Sequence, residues 1–271
     1  MVSPTAVVAA GAAAVLDVIW PVAIFIICRR RMTLAVRNIL IGALVFFVFS
    51  QVLEKALHIY LLKLNPATAA WLTGSAILYA IYGCLAAGLF EEIGRYLGMR
   101  LLVRPTGNPG TAVAYGIGHG GIESILIGAL ALGQTFVLAL MLNAGTLDTA
   151  LGPSVTPAVL AQLRAGLEQL SVLPVVLGCL ERLVSVLVQI GLSLIVWRAV
   201  EQRQPSWLVL AIALHAAVDF PAALFQVRWL SMVTTETILM AIGIALAIQY
   251  LRYLPTRRET ALASAPASPE A

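Results

Sequence analysis

Charge is scarce in this chain. Asp, Glu, Lys and Arg make up 11% of its 271 residues, against roughly 25% in soluble domains. Hydrophobic residues make up 61%, and the mean hydropathy is +0.95. No aqueous core can absorb that much apolar surface, so a water-soluble fold is excluded and lipid must solvate most of the chain. Cysteine is also sparse. Cys28, Cys84 and Cys179 form no CxxC pair, which excludes a disulfide framework and a thiolate zinc site. No HExxH or GxSxG-like element occurs, which removes the soluble zinc-protease helix and the serine nucleophile elbow. No internal repeat of the kind common in transporters is evident. A positive n-region is missing too. The cationic cluster Arg29, Arg30 and Arg31 follows the first apolar run, so that run reads as a retained helix rather than a signal peptide. The pI of about 9.2 comes from basic residues at the ends of apolar runs, not from one soluble face. That is the pattern of cytoplasmic membrane loops, and it excludes nucleic acid as a partner.

What is present is a series of apolar runs of bilayer length, ~20 residues or more. The spacing predicts an all-α polytopic transmembrane bundle of about seven spans, near 5–27, 37–62, 71–100, 111–141, 171–198, 206–225 and 232–253. The bundle occupies residues 1–254, and the Ala-, Ser- and Pro-rich stretch 255–271 reads as a disordered cytoplasmic tail. Residues 143–170 read as an exposed loop with a short amphipathic helix. With the first loop inside, Arg29, Arg30, Arg31, Arg37, Arg100, Arg104, Arg198, Arg203, Arg252, Arg257 and Arg258 lie on one side, and Lys63, Arg164 and Arg228 on the other. That asymmetry places the N-terminus outside and the C-terminus inside a multi-pass cell-membrane protein.

Ionisable residues inside the runs are expensive, ~2.5–3.5 kcal/mol each at mid-bilayer, yet they recur in groups. Glu54 and His58, Glu91 and Arg95, His119 and Glu123, and His215 and Asp219 are each four apart, while Glu181, Ser185 and Gln189 repeat at four. Residues at that spacing share a helix face, so each group is a polar stripe that turns inward. At ~1.5 Å per residue, Glu92, His119 and His215 lie ~12, ~13 and ~15 Å from the cytoplasmic helix ends, with Glu54 and Glu181 deeper at ~25 Å. Three helices therefore bring a carboxylate pair and two imidazoles to one level. Asp17 and Lys55 read as helix-packing partners. The glycines around His119 (Gly116, Gly118, Gly120 and Gly121) read first as close helix packing. A carboxylate pair with two histidines can activate water: one glutamate takes a proton, and a histidine binds a metal or orients the water. Arg95, one turn from Glu91, can hold that carboxylate in place.

The segments FEEIGRYLGMR, GIGHGGIES and HAAVDF together resemble the YhfC-type family of intramembrane metalloproteases, which is similar in turn to the CAAX prenyl protease and bacteriocin-processing membrane proteases. Those proteins carry a Glu-Glu…Arg motif, an aromatic-xxx-His motif and a His-xxx-Asn/Asp motif on three helices. Glu91, Glu92 and Arg95 match the first, Tyr115 to His119 the second, and His215 to Asp219 the third. The resemblance implies that Glu91, Glu92 and His119 activate the attacking water, and that His215 and Asp219 complete the site or stabilise the oxyanion. Arg95 follows Glu92 by one residue fewer than is usual in the broader superfamily, and Asp219 stands where Asn is common.

The reading is an intramembrane hydrolase, a peptidase acting on membrane-associated or transmembrane peptide or protein substrates, with its site facing the cytoplasm. Glu91, Glu92, Arg95, His119, His215 and Asp219 carry it, supported by Glu123, Glu54, His58, Glu181 and Arg182. The other readings are a proton- or ion-coupled transporter and a non-catalytic membrane adaptor. The family name implies a metal. Zn2+ held by His119, His215 and Glu92 is a known type of catalytic set, and Asp219 would then accept from the other nitrogen of His215. The competing arrangement has no metal: a glutamate and His119 polarise water while His215 and Asp219 bind the oxyanion.

Overall fold

The computed structural model describes residues 1–103, 107–152 and 154–253. Arg104, Arg257, Arg258 and the 255–271 tail lie outside the described residues. Among the described residues the chain is helical with no strands. Among those residues, seven helices are long and apolar enough to cross a bilayer. They are α1 (Pro4–Arg29), α2 (Val36–Leu64), α3 (Ala76–Val103), α4 (Gly110–Asn143), α5 (Val172–Glu201), α6 (Pro205–Gln226) and α7 (Met232–Tyr253). Val8, Leu40, Leu130, Val209 and Ile244 are exposed, a surface untenable in water but suited to lipid.

Local chemistry sets the helix starts. Ser3 caps α1 by accepting from the Ala6 amide at 3.2 Å, and Ser75 caps α3 by accepting from Leu78 at 3.4 Å. Pro4 and Pro205 occupy the first turns of α1 and α6, where the missing N–H costs nothing. Asn65 caps a separate short helix, Pro66–Thr73. The third span therefore begins at Ala76, not near residue 71 as hydropathy alone predicts. The connection between α4 and α5 holds two short helices, Leu147–Leu151 and Pro157–Glu168, where an exposed loop with one amphipathic helix is expected from sequence. The N-terminus is pinned to the end of α4: Asn143 accepts from the Val2 amide at 2.8 Å and donates to the Val2 carbonyl at 2.9 Å.

Two ends of the bundle can be told apart by charge. One carries α1's start together with Lys63, Arg164 and Arg228. The other carries Arg29, Arg30, Arg31, Arg37, Arg100, Arg198, Arg203 and Arg252 and is called the arginine-rich end below. The core is the first half of α4, which is buried on every side from Gly110 to Gly121. Its glycines are contact points for three neighbours. A methyl at Gly116 would stand 2.6 Å from Ile190 Cα, one at Gly120 2.9 Å from Val186 Cα, and one at Gly121 3.0 Å from the Pro21 ring. A methyl at Gly118 would collide with the Ile39 carbonyl of α2. With no hydrophobic drive between helices in lipid, such close approach supplies the association energy.

Gly118→Ala should therefore cost about 1–3 kcal/mol, the usual range for overpacking, read as a lower melting temperature in detergent. Gly133→Ala, where an added methyl meets open space, should leave the melting temperature unchanged or slightly raised. Equal melting of the two variants would show that this close approach does not hold the bundle.

Candidate active site

Arg95 of α3 has no exposed surface. Its Nε donates to Glu92 Oε2 at 2.9 Å and one terminal nitrogen donates to Glu92 Oε1 at 3.1 Å, a bidentate pair. The other terminal nitrogen donates to the Gln189 carbonyl at 3.0 Å and to Ser193 Oγ at 2.5 Å, and Gln189 Oε1 also accepts from Arg95. From sequence Arg95 is expected to serve Glu91. It serves Glu92 instead, whose two carboxylate oxygens both meet the guanidinium fork.

Glu92 is thus fully engaged, and its Oε1 also lies 2.7 Å from His215 Nδ1. Glu91, the next residue, turns the other way. Its Oε2 lies 2.9 Å from His119 Nε2 and 3.9 Å from His215 Nε2, and it accepts from Gln189 Nε2 at 3.2 Å. His119 is wholly buried, edge-on to Phe46 at 5.0 Å between ring centres. Among the described residues, its Nδ1 has no hydrogen-bond partner. His215 Nε2 also lies 3.4 Å from Asp219 Oδ2. Side chains of α3, α4, α5 and α6 therefore meet at one level.

A cavity of about 610 Å³ adjoins this cluster. Glu91, His215, Asp219 and Gln189 border it, whereas Glu92, Arg95 and His119 are not among its lining residues and lie behind that wall. Farther along the cavity, Glu123 accepts from Ser185 Oγ at 2.6 Å and from Arg182 at 3.3 Å, and Glu181 pairs with Arg182. Glu54 meets His58 at 3.2 Å, and His58 Nδ1 meets the Tyr82 hydroxyl at 2.5 Å. These pairs line the walls rather than touch the Glu91 cluster, except through Gln189, whose Nε2 donates both to Glu91 and, at 2.8 Å, to Glu123. Lys55 donates to Gln51 on the same helix. Asp17 is buried in α1 and is not among the lining residues.

Ser193 is passed over by sequence reading, and Gln189, read there only as a member of an inward polar stripe, is given no place in the cluster. The four-residue repeat Glu181, Ser185, Gln189, Ser193 carries the signal, but uncharged members of such a stripe attract less notice than charged ones. Glu236 of α7, also buried, is missed for another reason: no partner four residues away marks it.

Among the described residues no group of three or more His, Cys, Asp or Glu side chains is disposed to hold a metal ion. The reason is local. Glu92 is saturated by Arg95 and His215, and an Arg95 nitrogen stands 3.3 Å from His119 Nε2, where a bound cation would meet a guanidinium. The residues as arranged do not fit a metal centre.

The family model described as YhfC intramembrane metalloprotease matches residues 16–240. A Bacillus subtilis (strain 168) protein described as "Uncharacterized membrane protein YhfC" is 36% identical over 251 residues, covering 93% of this chain and 97% of that protein. No solved structure matches the chain.

Arg95→Ala should destabilise the protein by about 3–5 kcal/mol, because it strands the buried Glu92 carboxylate. Glu91→Gln keeps its shape and strands no cation, so its melting temperature in detergent should stay near that of the parent. An Arg95→Ala protein as stable as the parent would mean that the clamp does not hold the helices.

Proposed function

The chain belongs to the YhfC intramembrane metalloprotease family, and from that premise we propose that it is an intramembrane peptidase in which Glu91 activates water beside His215. The observation that carries this reading is the division of labour between adjacent carboxylates. Glu92 is locked to Arg95, while Glu91 borders the cavity with only neutral or imidazole partners.

The reaction needs a base, a proton donor and orientation. Glu91 takes a proton from water as the hydroxyl adds to the scissile carbonyl carbon. His119 and Gln189 fix the Glu91 carboxylate from behind. His215 has carboxylate oxygens at both ring nitrogens: Nδ1 donates to Glu92, and Nε2 faces the cavity between Asp219 and Glu91. Its Nε2–H is placed to stabilise the oxyanion and then to protonate the departing amine as the C–N bond breaks. The proton held by Glu91 returns His215 to its starting state. Arg95, Glu92, His119 and Gln189 act as positioning residues, and Asp219 aligns His215.

The family name implies a metal. A zinc set of His119, His215 and Glu92 would require Glu92 to leave both Arg95 and His215. No step of this mechanism uses a metal.

Two measurements test the reading. Membrane peptides should accumulate in cells carrying Glu91→Gln compared with wild type, and hydrolysis of an accumulated peptide in detergent should fall by ~10²–10⁴, the usual contribution of a general base. Full activity in Glu91→Gln would end the hydrolase reading for this cluster. Elemental analysis of active protein should find no stoichiometric metal, and strong chelators should not inhibit it. About one zinc per chain, lost in both His119→Ala and His215→Ala, would replace this mechanism with a zinc-dependent one.

A further inference from the structure

The geometry points to a catalytic cavity that opens only away from the arginine-rich end, so that its substrate is a peptide segment presented from the extracytoplasmic face. Depth alone suggests the reverse, since the cluster lies nearer the arginine-rich end and reads from sequence as a cytoplasm-facing site. The lining decides otherwise.

On α3 the cavity wall runs from Glu91 back to Tyr79, on α6 from His215 to Gln226, and on α2 from Ser50 to Leu62. Tyr79 is in the first turn of α3, Gln226 is the last residue of α6, and Leu62 is two residues from the end of α2. All three of these termini lie at the end where α1 begins. On α5 the wall likewise runs from Gln189 towards that helix's start, to Glu181. Among the described residues, no helix contributes a lining residue on the arginine-rich side of the catalytic level, apart from Ser50, which borders it on α2. From Glu91 to Tyr79 the path is ~18 Å at 1.5 Å per residue.

The other direction is closed. Phe46, Met99, Tyr115 and Val196 each have no exposed surface. They come from α2, α3, α4 and α5, and all lie between the cluster and the arginine-rich helix ends. Tyr115 belongs to the same buried apolar cluster as Met99 and Val196. Among the described residues, eight cations mark the sealed end and three the open end. Cationic loops stay in the cytoplasm, so the open end faces outward. The substrate class rests on the peptidase reading, whereas the side of opening does not.

The test is sided thiol labelling of the full-length chain with Cys28, Cys84 and Cys179 replaced by Ala. Single cysteines go in at Gly83→Cys, where a side chain meets open space, or at Ala222→Cys on α6, which keeps the test alive if the first variant fails to accumulate. Both positions line the cavity. Ser154→Cys and Gln204→Cys mark the two ends, and both residues are exposed. A charged, membrane-impermeant methanethiosulfonate is applied to right-side-out and inverted vesicles. Cavity cysteines should react from the Ser154 side and not from the Gln204 side, and Ser154→Cys should react in right-side-out vesicles. Reaction from the Gln204 side, from both sides or from neither overturns the one-sided opening. Reaction of Gln204→Cys in right-side-out vesicles overturns the extracytoplasmic assignment. No turnover is needed, so this result stands or falls separately from the Glu91→Gln assay.

Discussion

A guanidinium with no exposed surface inside an apolar bundle needs all its donors met, and meeting those of Arg95 is the constraint on which the rest of the protein depends. A charged side chain at bilayer depth is unfavourable by ~2.5–3.5 kcal/mol on insertion scales, before any loss of partners. Arg95 recovers this through both oxygens of Glu92, the backbone and side-chain oxygens of Gln189, and Ser193 Oγ. Those partners lie on α3 and α5, so the two helices cannot slide or rotate past each other without stranding a charge. Glu92 passes the constraint to α6 through His215 Nδ1. One ion pair thus sets the register of three helices and holds His215 facing the cavity.

The α4 backbone answers a different demand. His119 must reach Glu91 from a helix packed between α1, α2 and α5, which is feasible only if those neighbours come very close. Gly116 and Gly120 admit α5, Gly118 admits α2 and Gly121 admits α1. Gly88 of α3 does the same for α6, where a methyl would stand 3.0 Å from the Ile212 carbonyl. Glycine lowers intrinsic helix stability by about 1 kcal/mol per residue relative to alanine, so the segment GIGHGG is weak as an isolated helix. Its stability comes from the helices that enclose it, and the same enclosure leaves His119 with no exposed surface. On the proposed function, packing and catalysis are therefore joint readings of these glycines, not alternatives.

Hydropathy and spacing reveal the seven spans, and the stripes reveal which helix faces turn inward, because both properties are local to a helix. The third span begins late because a single Asn cap, Asn65, diverts the chain into a short helix that hydropathy cannot distinguish from the span. The roles of Glu91 and Glu92 are beyond local reach. Both lie within one turn of Arg95, and spacing alone permits either pairing. What decides is the position of Gln189 and Ser193, 94 and 98 residues away from Arg95. They draw the guanidinium towards α5, where only Glu92 can meet it with both oxygens. The proposed direction of opening is equally non-local. Depth along each helix is legible from sequence, but which side is plugged depends on Phe46, Met99, Tyr115 and Val196 meeting from four helices.

On the proposed peptidase reading, the second layer of charged residues follows from the environment a substrate would cross. An extended peptide in a bilayer has unpaired backbone groups, and such backbone is tolerated only where protein or water satisfies it. Along the approach to Glu91 the walls are Glu54 with His58 and Tyr82, and Glu123 with Arg182, Ser185 and Glu181. Most of these groups are paired with one another, so they keep the passage polar without presenting a strong site that would trap the chain short of the catalytic level. That passage must also end blindly. A polar path through the whole membrane would conduct protons, whereas here the polar lining stops at Glu91 and His215 and fully buried side chains fill the space beyond. For the proposed peptidase, placing Glu91 and His215 near the sealed end answers both demands: a substrate would stay in a polar environment along its path, and the attacking water would have one route of entry.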